Sequence, residues 1–142
     1  MKRWVAIAVV LAVAAAPALA EAKKIKHRGE IVDDPGTKVT LKLTKRGGEI
    51  RKVSRFEAVG VLTRCDAGDR RYAFTALDST KVTRKGNFKE RLRNPDGSVL
   101  RIKGTVKNRG RRVVGFISTS EFDGGSAGTC QTPKQRFKTE KV

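Results

Sequence analysis

The chain has 142 residues, 32 of them Lys or Arg against 14 Asp or Glu, which gives a formal net charge of +18 at pH 7. With 38% hydrophobic and 6% aromatic residues it has enough apolar mass for one ordinary core and too little for a bundle of membrane spans. One histidine and two cysteines cannot assemble a zinc finger, and no cofactor or metal is expected.

Lys2 and Arg3 form a basic start, Trp4 to Ala16 an uninterrupted apolar run, and Pro17-Ala18-Leu19-Ala20 a small-residue cleavage site. Residues 1–20 therefore read as an N-terminal signal helix cleaved after Ala20. The run is shorter than the roughly 20 apolar residues a spanning helix needs. Glu21, not a cysteine, follows the cleavage point, so no lipid anchor is implied. Lys23, Lys24, Lys26 and Arg28 pull the other way, toward an uncleaved anchor, because positive charge tends to stay on the cytoplasmic side. The expectation is a secreted or extracytoplasmic protein at the cell envelope, with no stable membrane insertion after cleavage. Removing these twenty residues, whose only charged side chains are Lys2 and Arg3, leaves 122 residues with 30 basic and 14 acidic side chains.

Residues 21–36 read as a mobile basic stretch and residues 37–142 as a single β-domain. From Thr37 to Thr44 the alternation is strict, with Val39, Leu41 and Leu43 on one face and Lys38, Thr40, Lys42 and Thr44 on the other. Lys45 to Gly48 makes a turn, and Glu49 to Ser54 returns. Phe56 to Cys65 is apolar on both faces, as a central strand requires. After a loop from Cys65 to Arg70, Arg71 to Leu77 resumes a strand carrying Tyr72, Phe74 and Ala76. Lys81 to Leu92 has only Val82, Phe88 and Leu92 as apolar anchors and reads as an edge or a loop. Asn94-Pro95-Asp96-Gly97 is a turn, since Pro presets φ and Gly accepts a positive φ. Ser98 to Lys107 then places Leu100, Ile102, Gly104 and Val106 inward and Val99, Arg101, Lys103, Thr105 and Lys107 outward. Asn108-Arg109-Gly110 turns into Arg112 to Thr119, which predicts a hairpin. Ser120 to Thr129 is a glycine-rich loop, and Gln131 to Val142 a short closing strand with a frayed tail around Phe137. The fold class is all-β, antiparallel, as a jelly-roll-like sandwich or a small barrel.

In an oxidising compartment Cys65 and Cys130 have one intramolecular pairing, so a disulfide is expected. A redox or metal-binding role lacks the C-x-x-C spacing and a nearby His or Lys to activate a thiol.

A strand ending in cysteine, Phe88-Lys89-Glu90, the hairpin Arg101-Ile102-Lys103-Gly104-Thr105-Val106 with Arg112-Val113-Val114-Gly115-Phe116-Ile117, and a late Gly128-Thr129-Cys130-Gln131-Thr132 ahead of a lone aromatic make up a recurring pattern. Over Val53 to Lys138 it resembles small secreted β-sandwich proteins from actinobacteria that carry two cysteines and have no assigned activity. The resemblance implies fold and export and brings no catalytic residues; this chain carries more positive charge than the pattern requires.

That charge is uneven. Lys81 to Arg112 holds twelve basic residues against two acids, Lys23 to Lys52 ten against four, and Val113 to Thr129 none. Lys38, Lys42, Arg101, Lys103, Lys107, Arg109, Arg111 and Arg112 are the candidate ligand residues, a cationic stripe on one sheet face. Its partner would be an anionic polymer, such as a cell-wall phosphate polymer, an acidic polysaccharide or extracellular nucleic acid, or else an acidic secreted protein. The competing interpretation is an ordinary solvated strand face. Sequence-specific DNA recognition has no helix to work with. A single-stranded nucleic-acid platform would need exposed aromatics, and Tyr72, Phe74, Phe88 and Phe116 read as core.

Catalysis has little support. His27 lies in the stretch read as mobile, no G-x-S-x-G turn occurs, and Glu57, Glu90, Glu121 and Asp123 are the carboxylates open to the rival reading, a small hydrolase of envelope carbohydrate. Asp66, Asp69, Glu121 and Asp123 could meet around the disulfide as a weak calcium site. The expectation is a non-catalytic binding or structural module.

Overall fold

The computed structural model describes residues 21–142; the expected signal helix lies outside the described residues. Eleven strands follow in chain order: β1 Lys23–Ile31, β2 Asp34–Arg46, β3 Glu49–Cys65, β4 Gly68–Ala76, β5 Thr80–Lys81, β6 Asn87–Arg93, β7 Val99–Lys107, β8 Arg112–Thr119, β9 Phe122–Asp123, β10 Thr129–Gln131 and β11 Gln135–Lys141. All pair antiparallel in one sheet ordered β6-β7-β8-β11-β1-β2-β3-β10-β9, with β4 and β5 along β3. The all-β, antiparallel expectation holds. The strands make one sheet where a sandwich would have two, and the ladder is not closed as a barrel requires. Its outer members β5 and β6 are nonetheless consecutive in sequence, and Thr83 N–H donates to Asn87 O across their connection.

Coiling of this one sheet comes from twist and bulges. The β2–β3 register shifts twice near Leu43 and Lys45, and the β3–β4 register shifts between Ala58 and Val61. Gly60 sits in that second irregularity with φ +79°, a conformation side chains resist, so the 17-residue β3 can bend there. The inward residues of β2 (Val39, Leu41, Leu43), β3 (Val53, Phe56, Ala58, Val61), β7 (Leu100, Ile102) and β8 (Val113, Ile117) join Phe88 and Phe137 in one core. Each such large apolar side chain contributes about 1.5–3 kcal/mol by leaving water.

Two glycines set how tightly the middle of the sheet packs. Phe88, Gly104, Gly115 and Phe137 are successive direct partners across β6, β7, β8 and β11. The Phe88 ring occupies the space where a Gly104 Cβ would stand, and a Gly115 Cβ would run first into the Lys103 carbonyl oxygen of β7, with Phe137 Cζ 2.8 Å away. Gly104 gives up a side chain so that Phe88 can lie across the strand, and Gly115 lets the β7 backbone and Phe137 come close.

The mobile stretch expected at residues 21–36 is corrected: Lys23–Ile31 is β1, hydrogen-bonded to β11 on one side and β2 on the other. Its inward set is Ile25, His27, Gly29 and Ile31, so alternation was disguised by a histidine and a glycine in apolar positions. His27 is fully buried, with Nε2 2.8 Å from Gly110 O and Nδ1 3.3 Å from Thr139 Oγ1. The neutral ring that donates from Nε2 and accepts at Nδ1 ties β1 to the β7–β8 turn and to β11.

Cys65 and Cys130 are disulfide-bonded and are direct partners in the β3–β10 register. The loop that reaches Cys130 packs Phe122 against Tyr72 at 5.3 Å, edge to face. Tyr72 and Phe74 thus belong to a half-buried aromatic group at the disulfide end of β4.

Candidate functional site

Strand β7 alternates from Leu100 to Gly104, with Leu100, Ile102 and Gly104 buried and Arg101 and Lys103 exposed on the outer face, but Val99, expected outward, is 5% exposed at the strand's start, where its backbone is bonded to Ser120. The pairing with β6 sets Arg91 directly opposite Arg101 and Lys89 directly opposite Lys103. Directly opposed side chains have Cβ atoms about 4.5–5.5 Å apart, and like charges there cost on the order of 0.2–1 kcal/mol per pair. Four ion pairs occur among the described residues, Arg51–Glu49, Arg55–Glu57, Arg71–Asp34 and Arg112–Glu140, and none relieves these four cations.

On the next strands Phe116 of β8 lies opposite Lys103, and Arg136 of β11 lies opposite Phe116. Phe116 is 39% exposed, which corrects its placement in the core: Val113, Gly115, Ile117 and Thr119 are the inward set of β8, and Phe116 has the other parity. Lys134 Nζ stands 4.3 Å above its ring, within cation–π range. Lys89, Arg91, Arg101, Lys103, Phe116 and Lys134 surround a hollow of about 410 Å³, which the buried Glu90 also lines.

The eight candidate cations do not form one stripe. Arg101 and Lys103 lie on this face. Lys38 and Lys42 line a hollow of about 880 Å³ over β1, β2 and β3, where Glu30, Glu57 and Glu140 are interleaved with the cations. Four strand spacings separate β2 from β7 in the sheet order, roughly 19 Å along the sheet. Lys107, Arg109, Arg111 and Arg112 gather at the β7–β8 turn, where Lys107 and Arg112 are direct partners and Arg112 pairs with Glu140 at 2.7 Å. Arg109 and Arg111 face a separate strand-end hollow of about 550 Å³ together with Lys45 and Lys141. Of these groups the β6–β7–β8 face alone combines unrelieved like-charge pairs with an exposed aromatic.

Sequence reasoning missed Lys89, Arg91, Lys134, Arg136 and the exposure of Phe116. Lys89, Arg91 and Arg93 do alternate with Phe88, Glu90 and Leu92, which is the strand signal that a sparse apolar content concealed.

Glu90, on the inner side of β6, is 8% exposed, and burial pushes its carboxyl above the ordinary glutamate range, with Thr80 opposing the shift. Glu57 pairs with Arg55 on the outer side of β3. Asp66 Oδ2 accepts from Thr129 N–H and so ties the β3–β4 turn to β10, while Asp123 Oδ1 accepts from Gly125 N–H within its own loop. Among the described residues no group of three or more His, Cys, Asp or Glu side chains could hold a metal, and no helix is long and apolar enough to cross a membrane. Burial also holds the His27 imidazole below its usual pKa, against the hydrogen bond to Gly110.

No family model matches the chain, and neither a curated protein nor a solved structure is significantly similar to it.

Proposed function

We propose that the protein is an exported, non-catalytic module that binds anionic polymers on the outer face of β6, β7 and β8. One observation carries the proposal: Arg91 opposite Arg101 and Lys89 opposite Lys103 stand without ion-pair partners among the described residues, beside the exposed Phe116, whereas the like-charge pair Lys26–Lys42 lies among Glu30, Glu57 and Glu140. A face kept only for solubility could place acids at half of those positions and gain cross-strand attraction; a polyanion that neutralises all four cations makes their repulsion useful. The leader-like residues 1–20 and the disulfide support export, and the positive field of the whole chain would draw such polymers to the surface. The curled sheet, whose β5 and β6 ends lie one short connection apart, serves as a barrel-like scaffold that holds the face rigid.

The test is binding of residues 21–142, with the disulfide formed, to a teichoic-acid-like polymer, an acidic polysaccharide, a nucleic acid and a neutral glycan. Arg101→Glu/Lys103→Glu is expected to abolish binding to anionic polymers, while Lys38→Glu/Lys42→Glu retains most of it. Equal loss in both variants would mean that overall charge, and not this face, is responsible.

A further inference from the structure

Resting on that reading of the β6–β8 face, we infer that its ligand is a single-stranded nucleic acid, with Phe116 as the platform on which a base stacks. A polymer recognised by charge alone gains nothing from an apolar ring, yet a phenylalanine stands 39% exposed in the middle of the cations. Its direct cross-strand neighbours are Lys103 on one side and Arg136 on the other. Lys134 covers the ring face at 4.3 Å in the free protein. A long, exposed lysine side chain moves aside readily, so an incoming base can take the ring while the ammonium turns to a neighbouring phosphate.

Single-stranded nucleic acid is the polyanion whose repeat supplies both features, a flat π-face and a phosphate in each unit. Arg101 and Lys103, two residues apart on β7, present charges roughly 7 Å apart, and the ring lies one strand over. A duplex keeps its bases stacked inside and offers the ring nothing. Elsewhere the features separate: the hollow over β1–β3 has three carboxylates among its cations and no aromatic, where the β6–β8 hollow has the buried Glu90 alone, and the strand-end hollow holding Arg109 and Arg111 is lined by Ile25 and no aromatic.

Fluorescence anisotropy with residues 21–142, disulfide formed, tests this with four probes: a short oligothymidylate, an abasic deoxyribose-phosphate strand of equal length, a duplex of that length and a sulfated polysaccharide. At one salt concentration the oligothymidylate is expected to bind about tenfold more tightly than the abasic strand, the scale of one stacked base. Phe116→Ala should erase that difference without changing the salt dependence, and Phe116→Tyr should keep it. Phe116→Tyr should melt with the parent protein, and Phe116→Ala, which loses a partly covered ring, should melt a few degrees lower but stay folded at the assay temperature. Equal binding of the thymidylate and abasic strands would overturn the inference and leave the polyanion reading intact, provided Arg101→Glu/Lys103→Glu weakens both. The same holds if the polysaccharide binds best and is the probe that Phe116→Ala weakens. Absence of binding to every probe would remove both readings together.

Discussion

Replacing Arg101 by Glu should make the protein more stable while it weakens binding. Arg101 faces Arg91 directly across the β6–β7 ladder, and no carboxylate pairs with either. The substitution removes a repulsion of about 0.2–1 kcal/mol and introduces an attraction of similar size, so the combined gain lies in the range of about 0.4–2 kcal/mol. Both side chains are exposed, and exposed pairs fall in the lower part of such ranges, so roughly 1 kcal/mol is expected. For a domain of this size that raises Tm by about 4 °C. The assay is urea or thermal unfolding at low salt and at 1 M salt, where a Debye length of about 3 Å should suppress most of the gain. Lys138→Glu is the control, because it lowers net charge equally but sets the new carboxylate opposite Glu30. It should lose stability. The reasoning is refuted if Arg101→Glu is no more stable than the parent at low salt, or if both variants gain alike, since the general field and not the local pair would then be responsible.

His27 is buried neutral, so its folded pKa lies below the unfolded value of 6.5 and the unfolded chain takes the proton first. Its stabilisation is complete above pH 6.5 and declines as pH falls below that value, by up to about 1.4 kcal/mol per pH unit; unfolding of His27→Gln should lack this decline, and His27→Ala should cost about 2–4 kcal/mol. Glu90 has the opposite sign: its folded pKa is raised above 4.5, so stability falls as pH rises through that window, and Glu90→Gln should be more stable at pH 7 with a flatter profile on unfolding from pH 4 upward. Loss of the disulfide in Cys65→Ala/Cys130→Ala should cost up to about 4 kcal/mol. Because β10 shares just two ladder pairs with β3, Cys130–Cys65 and Gln131–Arg64, and the preceding loop is otherwise held by hydrogen bonds to Asp66 and Ala67, hydrogen exchange should quicken first in residues 120–131, with the β6–β8 face still protected.

The parts of the fold that could be read from sequence are those where alternation and turn chemistry agree. Ser98 to Thr119 is the clearest case: inward Leu100, Ile102 and Gly104, an Asn108-Arg109-Gly110 turn with φ of 53°, 56° and 90°, and a returning strand occur as expected. Strand β1 escaped because a histidine satisfied by Gly110 and Thr139 counts as polar in any pattern while occupying a core position. The architecture escaped for a related reason, since a period of two fixes which face a residue takes but not which strands meet. Arg101 and Lys103 were legible as an outward pair. Their opposition to Arg91 and Lys89 depends on register, and the exposure of Phe116 on counting parity from Val113 in a strand with apolar residues on both sides.

The most direct test of the polyanion face is the dependence of binding on salt for the parent and for Arg101→Glu/Lys103→Glu, measured with a single-stranded anionic polymer. If Lys89, Arg91, Arg101 and Lys103 each neutralise one phosphate, log K should fall against log salt with a slope of about −3, and affinity should drop about 50-fold between 50 and 200 mM. In the variant the slope should flatten to about −1 or binding should vanish. An unchanged slope and affinity in the variant would contradict the account and return this face to ordinary solvated surface.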